Sequence, residues 1–313
     1  MTSFRARLPQ LGGGLFLTDG GIETVLIFDR GLSLPHFAAY ALLETPGGRA
    51  ALKAYYRDYL TIAAEKGTGF ILESPTWRCS PDWGAKLGHD LAAIAAFNAD
   101  AIALMAELRQ EVRLPKPVVI SGCVGPRGDG YAPDRQLSPA EAEAYHRRQI
   151  ESFAASPADM VTAVTMTHSG EAIGVVRAAR RANIPVAISF TTETDGRLPS
   201  DETLGEAIET VDRATSGAPV YFMVNCAHPD HFSGALDKGD WRSRIRGIRA
   251  NASRKSHAEL DNSETLDPGD PHELAQDYLR LRSLLPGLAV VGGCCGTNHR
   301  HIDEIGRALS TPA

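Results

Sequence analysis

Short apolar runs alternate along the chain with longer segments whose apolar residues recur at helical spacing. LFLTD (15–19), GFILE (69–73), PVVISG (117–122), DMVTAVT (159–165), PVAISF (185–190), PVYFMVN (219–225) and LAVVGG (288–293) read as strands, with RIRGIRAN (244–251) a weaker candidate. Helices are expected around residues 47–66, 90–113, 170–182 and 271–285, and after the CCGTN run near the C-terminus. Ser138 opens another, with Pro139 in its first turn and Glu141 three residues on. One more is expected to open near Ser200, with Asp201 and Glu202 in its first turn. Residues 252–270 are polar and rich in Asp, Gly and Ser, and read as a long surface loop.

This makes eight strand–helix pairs. A doubly wound open sheet usually has about five or six strands, so the pattern predicts an α/β fold closed as a (β/α)8 TIM barrel. Near-continuous apolar strands suit a parallel sheet covered on both faces. No internal linker or fixed-period repeat divides the chain, and a single domain over residues 1–313 is expected.

Composition narrows the function classes. With 43% hydrophobic and 22% charged residues the chain is globular, not disordered or fibrous. A net charge of −6 without a basic cluster argues against nucleic acid or an anionic membrane as partner. The most apolar helical stretch, residues 91–108, is broken by Asn98, Asp100 and Glu107, so no membrane span is expected. The N-terminal MTSFRARLPQLGGG lacks the apolar core of a secretion signal, which predicts a cytoplasmic protein. Five cysteines, an odd number at low density, fit reduced thiols better than a disulfide framework. Oligomeric state is open.

In such a barrel the active site lies at the C-terminal ends of the strands. Cys226 directly follows the sixth strand, and Cys294 and Cys295 follow the eighth. Three thiolates converging there would suit a soft tetrahedral ion, zinc by default, with a fourth position left open as in catalytic sites. The alternatives are three packed thiols or a vicinal Cys294–Cys295 disulfide. Gly292, Gly293 and Gly296 give the backbone the freedom to aim two adjacent cysteines at one ion. His228, His231 and His299 are further possible ligands; Pro229 and the helix after it are expected to leave His228 and His231 on the exposed rim.

Three motifs carry a family resemblance: LTDGGIETVL (17–26), VNCAHP (224–229) and, most specific, GGCCGTNHRHI (292–302). The chain resembles the homocysteine S-methyltransferase family, which includes betaine–homocysteine methyltransferase and the homocysteine-binding module of cobalamin-dependent methionine synthase. Weaker similarity in ISGCVGP (120–126) and in residues 188–208 extends it over most of the chain. The resemblance implies a (β/α)8 barrel, zinc on Cys226, Cys294 and Cys295, and methyl transfer to a thiol, homocysteine giving methionine. It also implies that Asp19, with the bare backbone of Gly20 and Gly21, and Asn225 contact substrate. A free thiol has a pKa near ~8.5 and is mostly protonated at neutral pH. Zinc would hold it as thiolate, able to take a methyl group from a sulfonium or quaternary ammonium donor.

The chain also departs from the pattern. The family's Glu-Thr pair at the end of the fourth strand is matched by Val164 and Thr165, so a carboxylate is missing, and the motif after the seventh strand is degraded to RANAS (249–253). Glu23 and Glu73 stand where relatives often have small or hydroxyl residues, and either is a candidate replacement. Trp77 could offer a π face to a cationic donor, and Arg78 could pair with a substrate carboxylate. Rival readings are a zinc lyase or hydrolase with Glu23 or Glu73 as base, and a non-catalytic thiol binder.

Overall fold

The computed structural model describes residues 4–112, 114–130, 135–236, 239–263 and 265–310. Its strands are β1 (Phe16–Leu17), β2 (Gly69–Glu73), β3 (Val118–Val124), β4 (Met160–Met166), β5 (Val186–Phe190), β6 (Phe222–Asn225), β7 (Ile245–Ala250) and β8 (Val290–Gly293). They pair in parallel and in sequence order, and β8 returns to β1 through Val290↔Phe16 and Val291↔Leu17, closing the barrel. Every strand but β7 is buried along its length, as a sheet covered on both faces requires. β7 is interrupted by the half-buried Arg246 and Arg249.

Around the sheet run α1 (Pro46–Lys66), α2 (Leu91–Glu111), α3 (Pro139–Ala154), α4 (Ser169–Arg181), α5 (Leu204–Thr215), α6 (Pro229–Phe232), α7 (Pro271–Leu284) and α8 (His299–Ser310). Side-chain caps set the starts of all of these but α4 and α8. Ser138 and Glu141 form a capping box on α3, and Asp270 accepts from His272 N and Glu273 N at the head of α7.

Three expectations need correction here. The helix expected near Ser200 opens at Leu204, because Thr203 and Glu206 make the capping box. Asp201 instead has φ +67°, and Glu202 accepts from Ser169 N and Ser200 Oγ. The sixth strand–helix pair has no full helix: α6 and the 3-10 turns Ser233–Leu236 and Asp240–Arg244 lead to β7, and Trp241 packs on Gly205 of α5. Residues 252–270 include the short helix His257–Asp261 and fold over the barrel mouth. By length and composition α2 would also suffice to cross a membrane, which the interruptions at Asn98 and Asp100 had argued against. In the fold it is one of the barrel's outer helices, with Ile94, Asn98, Ala101, Ile102 and Met105 buried.

The barrel is filled from below. Leu8, Phe16, Ile71, Val119, Met160, Ala187, Tyr221, Met223 and Val290 pack as an inner cluster, and Gln10 donates to Met160 Sδ (3.1 Å) beneath it. That packed floor leaves space only at the opposite end, where the strands finish. A cavity of about 410 Å³ opens there, and the three candidate cysteines line it.

Candidate metal centre and active site

β6 and β8 flank β7, so the residues that follow them meet at the barrel mouth. Cys226 Sγ lies 2.9 Å from Cys294 Sγ and 3.6 Å from Cys295 Sγ, and the three sulfurs are all within 4.8 Å of one another. All five cysteines are free, so Cys294 and Cys295 do not form a vicinal disulfide. Ligands about 2.3 Å from a tetrahedral ion stand ~3.8 Å apart, so the trio is spaced for one soft ion, with the Cys226–Cys294 edge tighter. Contacts from Cys226 and Cys295, and then the charge of Arg249, hold the Cys294 thiol well below its usual pKa. The same sulfur contacts push Cys226 up.

The backbone is built to present these sulfurs. Cys226 has φ +58°, and His257, from the short helix after β7, donates from Nε2 to its carbonyl (2.6 Å). Burial opposes the charged form of His257, but its bonds to Glu193 and to that carbonyl prevail and raise its pKa. Thr165 also has a left-handed backbone, φ +61°, uncommon for a β-branched residue. Asn225 holds it there. Its Oδ1 accepts from Thr165 N (2.8 Å) and Ser189 Oγ (2.6 Å), and its Nδ2 donates to Thr165 Oγ1 (2.9 Å) and reaches Cys294 Sγ at 4.0 Å. Asn225, expected at the substrate, lines the cavity while tying β4, β5 and β6 to the cysteines. Gly21 is pressed against the Cys294 loop: a Cβ there would lie 2.5 Å from the Cys294 carbonyl oxygen.

Asp19 and Glu73 both line the cavity, but an arginine already joins them. Arg249 donates to Asp19 Oδ1 (2.7 Å) and to Glu73 Oε2, and also to the Gly293 (3.0 Å) and Gly20 (3.2 Å) carbonyls. Tyr55 Oη donates to the other Asp19 oxygen (2.9 Å). Burial still pushes Asp19 up to about 6 against the pull of Arg249. Glu23 lies in the same cavity, where burial, and then the proximity of Cys294, push its carboxyl up to about 7. Val164, at the position of the missing carboxylate, lines the wall.

Trp77 and Arg78 line the cavity, and Arg78, expected to meet a substrate carboxylate, is already held by its neighbours. Its guanidinium stacks on Trp83 (3.8 Å to the centroid) and Trp77 (4.8 Å), and it donates to the His36 carbonyl (2.6 Å). The expectation of an exposed His228 also fails. His228 is buried beside Asp230 and Asp277, and burial pushes its pKa down to about 4. These three residues form a second cluster at metal-binding distance. Arginines already match its charges, Arg254 on Asp230 and Arg280 on Asp277. His231 bonds the Arg254 carbonyl (2.9 Å), and His299 is exposed at the start of α8; neither joins the thiols.

Arg249, His257, Asn251 and Tyr55 were not singled out from sequence. For Arg249 the signal was strand parity. Ile248 and Ala250 face the outer core, while Gly247 contacts the inner Met223, so Arg249 two residues on shares the inward face.

Comparison with known proteins bears on this geometry. The family model described as homocysteine S-methyltransferase matches residues 16–309. Homocysteine S-methyltransferase 3 of Zea mays is 23% identical, over 97% of this chain and 93% of its own length. Selenocysteine Se-methyltransferase of Brassica oleracea var. italica is 21% identical, over 95% and 89%. The metallated form of the homocysteine methyltransferase MmuM from Escherichia coli superposes with a TM-score of 0.75 at 20% identity, covering 97% of this chain and 99% of that one. With the family match spanning nearly the whole barrel, including all three cysteines at its mouth, the chain belongs to the homocysteine S-methyltransferase family.

Proposed function

We propose that this methyltransferase is zinc-dependent and moves a methyl group from a sulfonium or quaternary ammonium donor to a thiol, homocysteine giving methionine. The observation that carries the reading is the convergence of Cys226, Cys294 and Cys295 on one point of an open cavity. The donor set fits the ion: three soft thiolates, with cavity on one side for a further ligand. When bound there, zinc would lower the pKa of an incoming thiol so that it is present as thiolate at neutral pH.

The chain's own residues supply orientation. Asn225 ties the end of β6 to Thr165, His257 holds the Cys226 carbonyl, and Gly21 lets the Cys294 loop approach β1. Arg249 places its charge between Asp19 and Glu73 and close enough to Cys294 to favour a thiolate. Trp77 presents an aromatic face to the same space, suited to a cationic donor. As the new S–CH3 bond forms, the donor's onium–CH3 bond breaks and its electron pair returns to the sulfur or nitrogen, which becomes neutral.

The test combines elemental analysis with turnover. Freshly reduced wild type should hold about one zinc ion per chain and form methionine from homocysteine with one of S-methylmethionine, S-adenosylmethionine, a betaine or dimethylsulfoniopropionate. Cys295→Ser should lose both. Zinc without methionine from any donor would reject homocysteine as acceptor, and protein that neither holds nor takes up zinc would remove the basis of the reading.

A further inference from the structure

Three carboxylates line the same cavity as the cysteines at the mouth of the barrel: Asp19, Glu23 and Glu73. Arg249 is shared by two of them, with separate Nη atoms on Asp19 and Glu73, and Tyr55 satisfies the remaining Asp19 oxygen. An ammonium arriving at Asp19 would sit beside that guanidinium and be repelled by it. Glu23 has no such ion pair; its carboxylate accepts from its own backbone N–H and feels the charge of Arg78. Among the described residues no side chain hydrogen-bonds or ion-pairs with its carboxylate, and its nearest cation, Arg78, is engaged by Trp83 and the His36 carbonyl. A half-buried carboxylate that no cation neutralises at ion-pair distance gains when a ligand brings a cation to it. A second observation points to a polar ligand: Asn251, buried at the end of β7 and lining the cavity, leaves Oδ1 without a hydrogen-bond partner.

We propose that Glu23, and not Asp19 or Glu73, receives the ammonium of an α-amino thiol seated at the cysteines, and so sets the enzyme's choice of acceptor. The assignment rests on the thiol methyl-transfer reading above. Arg249 has taken the other two carboxylates out of ligand recognition, making them parts of an internal ion pair, and Glu23, two residues after Gly21, presents its charge from the β1 side of the cavity. Asn251 supplies an acceptor for one ammonium N–H.

The experiment is isothermal titration of zinc-loaded wild type, Glu23→Gln, Glu73→Gln and Asp19→Asn with L-homocysteine and with its des-amino analogue, 4-sulfanylbutanoate. Wild type should prefer homocysteine by roughly tenfold or more, as a charge-assisted bond in a dry site warrants. Glu23→Gln, close to isosteric, should bind the two thiols equally and leave the affinity for the analogue unchanged. Glu73→Gln and Asp19→Asn should keep the preference. Retained preference in Glu23→Gln would overturn the assignment, as would its loss in Asp19→Asn or Glu73→Gln alone. So would a Glu23→Gln defect confined to dimethylsulfoniopropionate, a donor with an onium but no ammonium. Failure of both thiols to bind wild type would be a different result: it would overturn the thiol-transfer reading itself, and the role of Glu23 with it.

Discussion

Arg249 and Asp19 form a buried ion pair, Nη2 to Oδ1 at 2.7 Å, that spans the barrel mouth from β7 to the end of β1, and Glu73 joins it from β2. Removing the cation leaves two carboxylates in the interior without a counter-charge. Arg249→Met should therefore destabilise the fold by about 3–5 kcal/mol near pH 7.5, measured by urea denaturation. The loss should shrink toward pH 5, where the orphaned Asp19, its carboxyl already pushed up by burial, takes up a proton. Arg249→Met combined with Asp19→Asn and Glu73→Gln should recover most of it. A single variant as stable as wild type would show that the pair is not a structural requirement.

That ion pair marks where the sequence stopped being readable. The barrel was legible because eight apolar runs separated by amphipathic stretches admit few other closed arrangements, and the cysteines were legible because their motifs sit at strand ends. Arg249 was not, because RIRGIRAN carries three arginines and the parity that turns Arg249 inward can be read only once register against β6 and β8 fixes which face of the strand is which. His257 was hidden in a stretch whose composition reads as loop, and its partner, the Cys226 carbonyl, is 31 residues away. His228 was misplaced for a related reason: Pro229 predicts a helix start, but burial comes from α7, whose Asp277 closes over the ring.

His228 should give the fold a pH dependence. Its ordinary pKa is 6.5 and its folded value about 4, so the unfolded chain binds the proton more readily. The stability it contributes is complete above pH 6.5 and is lost as pH falls toward 4, on the order of 3 kcal/mol at the limit. Asp230, Asp277, His231, Arg254 and Arg280 surround it. The raised carboxyls of Asp19 and Glu23 act with the opposite sign, favouring the fold as pH falls through 7 and 6. The clean measurement is therefore the difference between wild type and His228→Gln in urea unfolding at pH 7.5 and pH 5. Wild type should lose more on acidification; equal losses would show that His228 is not buried neutral.

Gly21 should be intolerant of any side chain. A Cβ there meets both the Cys294 carbonyl oxygen and Thr24 Oγ1 at 2.5 Å, and neither is the end of a flexible chain. Gly21→Ala should push the Cys294 loop away from β1 and weaken zinc binding by about tenfold or more, as loss of ligand support does. Global stability should drop by only about 1–3 kcal/mol. Competition with a zinc chelator measures the first and thermal unfolding the second. Unchanged zinc affinity would show that the loop tolerates the shift.

Asn225 and Thr165 offer a way to separate hydrogen bonding from backbone strain. Asn225→Ala removes the acceptor for Thr165 N and Ser189 Oγ and the donor to Thr165 Oγ1. A buried N–H left without a partner costs about 1–3 kcal/mol, and the left-handed Thr165 backbone loses its restraint as well. The variant should lose at least that much stability in urea unfolding, along with zinc affinity. Thr165→Gly, placed in the Asn225→Ala background, allows φ +61° without steric penalty and removes the orphaned hydroxyl. If strain at Thr165 is what Asn225 holds in check, the double variant should be more stable than Asn225→Ala alone, although glycine raises the entropy of the unfolded chain. If it is less stable by the sum of the two single losses, Asn225 acts through its hydrogen bonds alone and the left-handed turn at β4 stores nothing that the site uses.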